Sequence, residues 1–321
     1  MTRGRMPKLV IGVVLLAAAV LLPFPVNRAQ PYYLQLTLNI FVFATLALSW
    51  DILARTGQLS LAHAAFYGLG AYTSVLVTTR AGVPVFAGIL LGSLVAVVAA
   101  AGLGVLTLRL RGIYFAIATL AFSESLRVLT KQLRFTGGPA GLIAPPLLAG
   151  NLPAQYLVIL GILLLAVLVS WQVNRSRWHF AFTAIRTNEE VAAVMGVDVV
   201  RFKVMAFAIS AFFAGLTGAY YAHVFLFISP FEAFSLAVSV GALVAPIFGG
   251  LYSAVGPLLG AVVLRAGEEV LRAALGDGFL IIYGLILAGV ILYMPRGLVG
   301  LWTAFAARRR QPAARTGRGV P

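Results

Sequence analysis

The chain has 321 residues, of which 61% are hydrophobic and 10% charged. Soluble domains carry about 25% charged residues, so this deficit excludes a water-facing globular surface and leaves one that faces lipid. No cysteine is present, which excludes disulfides, thiol catalysis and cysteine metal sites, and the three histidines, His63, His179 and His223, lack the spacing of a metal site.

In chain order, apolar runs of about the 20 residues that cross a bilayer lie at 8–26, 34–54, 84–108, 112–129, 154–173, 203–224 and 279–295. Three more, near 58–79, 234–250 and 254–274, carry enough Gly, Ser, Ala or Pro to be short, broken or re-entrant. Together they predict an all-α fold, a polytopic membrane helix bundle of about ten segments, or about eight or nine where one or two stop short of crossing. The first run follows Arg3, Arg5 and Lys8, as a secretory signal would. Pro23 and Pro25 follow it, and no small-x-small cleavage site precedes Asn27, so an uncleaved first span is expected.

Lys and Arg gather in cytoplasmic loops. With an even number of spans both termini share one side, and most basic residues fall there: Arg3, Arg5 and Lys8, then Arg55, Arg109 and Arg111, then Arg175, Arg177, Arg186, Arg201 and Lys203, then Arg296 and the tail arginines. Both termini and the 174–203 loop are therefore expected in the cytoplasm. The net charge of +15 then needs no nucleic acid. A single transmembrane domain over 1–302 is expected, followed by a disordered basic tail over 303–321 that faces lipid headgroups.

Residues 56–74 are too polar and glycine-rich for a lipid-facing helix, and such a segment is tolerated at membrane depth only when buried in protein or lining a cavity. Candidate solute-path residues here are Gly57, Ser60, His63, Phe66, Tyr67, Gly70 and Tyr72. Ser60 is placed to cap a helix whose positive end suits a carboxylate, and His63 is either a hydrogen-bonding contact or a satisfied structural histidine. In 88–104, Gly88, Gly92, Ala96, Ala100 and Gly104 recur every four residues, a seam for close helix packing or for contact with a homologous subunit. Gly256 and Gly260 repeat the pattern around Pro257.

Glu124 and Arg127 stand three apart inside a span, either as a structural ion pair or as a path contact. The loop from Phe135 to Leu142 includes Gly137 and Gly138, whose freedom at positive φ permits tight turns; it either receives a solute-delivering partner or turns the chain. In 181–198, Thr187 and Glu190 have the spacing of a capping box. Glu189 and Glu190 suit the positive end of a helix dipole, and Gly196 suits a left-handed stop. A short helix over about 188–195 is predicted, with Val191, Val194 and Met195 on one face beside Ala192 and Ala193. A helix this short is marginal alone, so it is held by a groove on a partner or by the bundle's own surface.

These segments resemble the branched-chain amino acid permease family of bacterial ABC importers, in its M-type (LivM-like) form. The resemblance rests on Thr56 to Tyr72, Leu108 to Phe122, Thr136 to Gly141, Ala184 to Gly196, Ala222 to Pro230 and Pro295 to Leu298. It runs from about residue 34 to 302 and departs at Ala140 and at Ala245-Pro246. It implies a permease domain in the bacterial inner membrane, paired with a second homologous permease subunit. It also implies two ABC ATPase subunits beneath and a periplasmic solute-binding protein that delivers leucine, isoleucine or valine; wider relatives carry urea, amides or other solutes. The 184–196 motif resembles the family's ATPase-contacting loop, which implies coupling roles for Arg186, Thr187, Asn188, Glu189, Glu190, Val191, Ala193, Val194, Met195 and Gly196.

The chain cannot hydrolyse ATP through a P-loop, because Lys8, Lys131 and Lys203 follow Pro, Thr and Phe where that motif requires Gly. It is expected to bind no cofactor, with ATP used by partner subunits. A gradient-driven secondary transporter would carry buried carboxylates or a proton relay, and here Glu124 is the main acid inside a span, with Asp51, Glu268 and Glu269 near span ends. A membrane enzyme would need a Ser/His/Asp or metal-type grouping, and the sequence offers none.

Overall fold

A computed structural model describes residues 23, 30–107, 110–278, 281–282, 284–285, 288–289, 292 and 297–300. The first predicted span over 8–26, apart from Pro23, most of the last over 279–295, and the tail over 303–321 lie outside the described residues. The described helices are α1 (Pro31–Ala54), α2 (His63–Ala81), α3 (Val85–Thr107), α4 (Ile113–Gln132), α5 (Leu152–Arg175), α6 (Arg177–Thr187), α7 (Glu189–Val194), α8 (Val199–Phe225), α9 (Pro230–Ala233), α10 (Leu236–Gly249) and α11 (Val255–Leu275). Among the described residues six stretches are long and apolar enough to cross a bilayer: α1, α3, α4, α5, α8 and the continuous stretch from α9 to α10. The protein is an all-α polytopic membrane bundle.

α2 departs from plain hydropathy for a packing reason. It has Ala64, Ala65, Phe66, Gly70 and Ala71 all buried, so the polar and glycine-rich first half of the helix is shielded from lipid. Its neighbours are α3 and α8, and all three meet through glycine. A methyl group on Gly70 would strike the Gly215 backbone, one on Gly218 would strike Tyr67 O, and one on Gly215 would come within 2.7 Å of Ala96 Cβ. Gly88, Gly92, Ala96, Ala100 and Gly104 all lie on the buried face of α3, while Val98, Val105 and Leu106 on its other side are exposed, as a lipid-facing surface requires. The small-residue seam of α3 is thus spent inside this chain. Gly249, Gly256 and Gly260 do the same for the contact of α10 with α11.

The linker between α1 and α2 folds back into the bundle instead of leaving it. The Trp50 indole Nε1 donates to Ser60 O at 2.9 Å, one helical turn back along α1 from its end. The two ends of the bundle then differ in character. One carries Arg111, Arg177, Arg186, Arg201 and Lys203 around α6 and α7. The other carries a two-stranded antiparallel ladder in which Leu142 (β1, Leu142–Ile143) pairs with Ile228 (β2, Phe227–Ile228). α8 runs from one end to the other.

Candidate functional site

At the basic end, the backbone leaves α5 at Ser176, whose Oγ accepts from Trp178 N at 3.2 Å and starts α6. α6 buries Ala181, Phe182 and Ile185 against the bundle, and the chain breaks at Asn188, which has extended φ and ψ. Asn188 Oδ1 accepts from Glu190 N at 3.0 Å and Val191 N at 3.2 Å, so Asn188 caps α7. This corrects the capping box expected from Thr187 and Glu190. Thr187 is still helical, and its hydroxyl donates back to Thr183 O at 2.8 Å. At the far end Gly196, at φ +87°, sends its N–H to Ala193 O while Val197 N reaches Ala192 O, both at 3.0 Å. Those two bonds are a Schellman stop, and they need a left-handed residue at Gly196.

Only one face of α7 is anchored. Ala192 packs with Ile185 and Val199, while Val191, Val194 and Met195 are 57%, 88% and 79% exposed. Electrostatic ties hold its first turn. Lys203 Nζ, itself 4% exposed, contacts Glu189 Oε2 at 2.7 Å. Arg111 reaches Glu190 at 3.1 Å and Glu189 at 3.6 Å, an exposed contact of little energy. Behind α7 lies a cavity of about 390 Å³ lined by Gln58, Arg111, Arg186, Asn188, Glu189 and Lys203. Both polar atoms of the buried Gln58 amide lack a hydrogen-bond partner among the described residues. Gly57, grouped with the solute path from sequence, sits here at φ +80°, where an added methyl would lie 3.3 Å from Arg186 Cα.

Behind this end is a buried ionic hub that the sequence reading did not single out. Arg55 donates to Asp51 Oδ2 from Nη2 at 2.7 Å and from Nε at 3.0 Å. It also donates to Ser170 O at 3.0 Å, Ser170 Oγ at 2.6 Å and Asn174 Oδ1 at 3.0 Å. The other carboxylate oxygen of Asp51 accepts Tyr252 N at 2.6 Å, and the Arg186 guanidinium lies 3.8 Å from the centre of the Tyr252 ring. Asp51 and Arg55 are both buried, and such a pair persists only when its remaining bonding capacity is met, as it is here. The available signal was the i, i+4 spacing of two opposite charges at a span end.

The remaining path candidates are spread through the bundle. Ser60 was expected to cap α2, but its Oγ accepts Ala62 N at 3.1 Å, before the helix begins. The reason is that other helices close that end. Ser239 Oγ of α10 accepts Ala64 N at 2.9 Å and donates to Leu61 O at 2.7 Å, while Thr119 of α4 accepts Leu61 N at 3.0 Å. His63 Nε2 pairs with Ser210 Oγ at 2.9 Å. Phe66 packs on Phe207, Gly70 on Gly215, and Tyr72 stacks on Phe234. Glu124 and Arg127 form an ion pair at 2.7 Å, 43% and 31% exposed. Gly137 and Gly138 both take positive φ in the turn before β1. Tyr67 alone of these residues lines a second cavity, of about 530 Å³, between α1, α9, α10 and α11.

Comparison with known proteins gives a consistent picture. A family model described as "Branched-chain amino acid transport system / permease component" matches residues 32–294. The chain is 31% identical over 315 residues to the high-affinity branched-chain amino acid transport system permease protein LivM of Salmonella typhimurium, covering 89% of this chain and 73% of that protein. It is also 31% identical over 317 residues to LivM of Escherichia coli, covering 89% of this chain and 74% of that one. No solved structure matches it significantly.

Proposed function

Since this chain belongs to the branched-chain amino acid transport system permease family, we propose that it is the transmembrane permease subunit of an ATP-binding cassette importer. It translocates branched-chain amino acids across the bacterial inner membrane by alternating access. In this reading it crosses the membrane with about ten segments, keeps both termini in the cytoplasm and pairs with a second homologous permease subunit. Two ATPase subunits dock on the basic end and consume ATP, and a periplasmic solute-binding protein delivers the solute to the end that carries β1 and β2. The chain itself carries no ATPase site and needs no cofactor.

The observation that carries this reading is the geometry of α7. A helix of one and a half turns, capped at both ends, presents Val191, Val194 and Met195 to water while its other side is fastened to α6, α8 and Arg111. An apolar ridge of this kind fits a groove on a partner. Behind it, Arg186, Tyr252, Asp51 and Arg55 form a continuous line of contacts into α1 and α5. Force applied to α7 therefore reaches membrane-spanning helices through packed and hydrogen-bonded groups.

Val194→Asp tests it, because it places a charge on the exposed ridge without touching the anchored side. In cells that express the whole importer, the variant is expected to insert normally, to lose copurification with the ATPase subunits and to lose leucine uptake. Normal uptake with normal copurification would refute the docking role.

A further inference from the structure

The cavity of about 530 Å³ falls within the ~300–1,000 Å³ usual for small-molecule pockets, and its walls differ in kind. Val42, Phe43 and Leu46 of α1 and Val238 of α10 make an apolar side. Arg265 of α11 adjoins it, its guanidinium 4.2 Å from the centre of the Phe43 ring. One nitrogen of Arg265 binds Glu268 at 2.9 Å, but its Nε is buried and has no hydrogen-bond partner among the described residues. A buried donor left without an acceptor is rare in native folds. Glu268 is also shared with Arg272, at 3.1 Å. Glu269, the remaining acid on α11, hydrogen-bonds to Tyr32 and does not line the cavity.

A carboxylate lines the same cavity and forms no ion pair with Arg265. Glu232 of α9 has neither an ion pair nor a side-chain hydrogen bond among the described residues. Nearby, Asn39 donates to Gln35 O at 3.1 Å, which leaves its carbonyl oxygen as an acceptor. The cavity thus offers a donor for an anion and acceptors for a cation, which form no ion pair with each other, beside an aliphatic and aromatic wall.

We propose that this cavity is a way-station for one zwitterionic α-amino acid within the membrane path. The ligand carboxylate accepts from Arg265 Nε, its ammonium group meets Glu232 and Asn39 Oδ1, and its branched aliphatic side chain lies against Val42, Phe43, Leu46 and Val238. Charge-assisted bonds fix the two ends, and the apolar wall rewards side chains without polar groups, because a buried polar group with no partner is penalised. The inference rests on the substrate class proposed above and adds the place and the contacts.

The test uses the full chain assembled with its partner subunits in lipid nanodiscs, without the solute-binding protein, and measures equilibrium binding of tritiated L-leucine. Two competitors each lack one charge: 4-methylpentanoate has no ammonium group and isopentylamine has no carboxylate. Glu232→Gln is expected to weaken leucine by about tenfold or more and to remove the preference for leucine over 4-methylpentanoate. Arg265→Gln is expected to weaken it similarly and to remove the preference over isopentylamine. A merely structural role would lower affinity without these opposite changes in selectivity, and that result would overturn the site. If either charge variant fails to elute as a single species, Val238→Trp, which fills the cavity from its apolar side, is expected to weaken leucine by about tenfold. Unchanged leucine binding in the variants, with leucine uptake intact, overturns the site and leaves the proposed function standing. A wild-type importer that neither binds nor takes up leucine overturns both.

Discussion

The guanidinium of Arg186 lies 3.8 Å from the centre of the Tyr252 ring, which brings the segment before α7 onto the turn between α10 and α11. Tyr252 holds a left-handed backbone, φ +64°, and its N–H is taken by Asp51. The ring is thereby fixed in place, and a cation over an aromatic face contributes about 0.5–2 kcal/mol depending on desolvation. Tyr252→Ala is expected to leave the protein folded, since it retains the backbone bond to Asp51, and to reduce uptake more than ATP hydrolysis. Tyr252→Phe is expected to retain most uptake. Comparing uptake with hydrolysis in proteoliposomes checks both, and equal retention of uptake in the two variants would rule out a transmitting role for the ring.

Breaking the Asp51–Arg55 pair from one side leaves a buried charge without its partner, at a cost of about 3–5 kcal/mol. Arg55→Met and Asp51→Asn are each expected to lower the thermal midpoint of the detergent-solubilised protein sharply or to prevent its accumulation. The double variant Asp51→Asn with Arg55→Met removes both charges and is expected to recover part of the loss. Size-exclusion profiles after a temperature series provide the measurement. Additive losses in the double variant would show that the two side chains do not act as a pair.

The cap of α7 separates two adjacent residues. Asn188→Ala removes the acceptor for two backbone N–H groups and is expected to cost about 1 kcal/mol of local stability. Thr187→Ala removes only a bond back into α6 and is expected to change the stability of α7 very little. Hydrogen exchange of the 189–194 amides checks this: protection should fall for the first variant and hold for the second. The reverse order would restore Thr187 as the capping residue.

Close packing of α2, α3 and α8 depends on the absence of side chains. Gly70→Val places a branched side chain against the Gly215 backbone, a contact that only backbone displacement relieves, and is expected to abolish stable folding. Gly161→Ala on α5, where no atom lies within 4 Å of the added methyl, is expected to be neutral or to stabilise by about 0.5–1 kcal/mol. Thermal midpoints of the two variants decide the matter, and similar values for both would show that the glycine crossing is loose.

Much of the fold follows from local patterns along the sequence. The spans that form α1, α3, α4, α5 and α8 are apolar runs of bilayer length, and the four-residue repeat from Gly88 to Gly104 marks the buried face of α3 because it follows the helical period. The short helix α7 was also legible, since Glu189, Glu190 and Gly196 are local signals of a start and a stop. Its cap was misassigned by one residue because Thr187 and Asn188 are both good capping types, and the tertiary packing of α6 determines where the backbone breaks. The hub around Asp51 was not legible. Its members at 51, 55, 170, 174 and 252 come from three separate parts of the chain, and the four-residue spacings within 51/55 and 170/174 do not say that the two pairs meet. Gly57 was grouped with the path for a related reason: nothing local indicates that the 55–62 linker folds back under Arg186. The cavity that contains Glu232 and Arg265 is likewise assembled from remote segments, so no local spacing relates its two charges.

α8 has 27 residues and contains no proline, which at 1.5 Å per residue makes it about 40 Å long. Lys203, near its start, grips α7, and the strand that follows its end is stitched to the loop after α4. Such an element behaves as a strut rather than a string: it carries compression as well as tension. In the importer proposed above, a load placed on one face of the membrane is expected to appear at the opposite face as a displacement of the same rod, so that the arrival of a loaded carrier would need no separate messenger to reach the motor side.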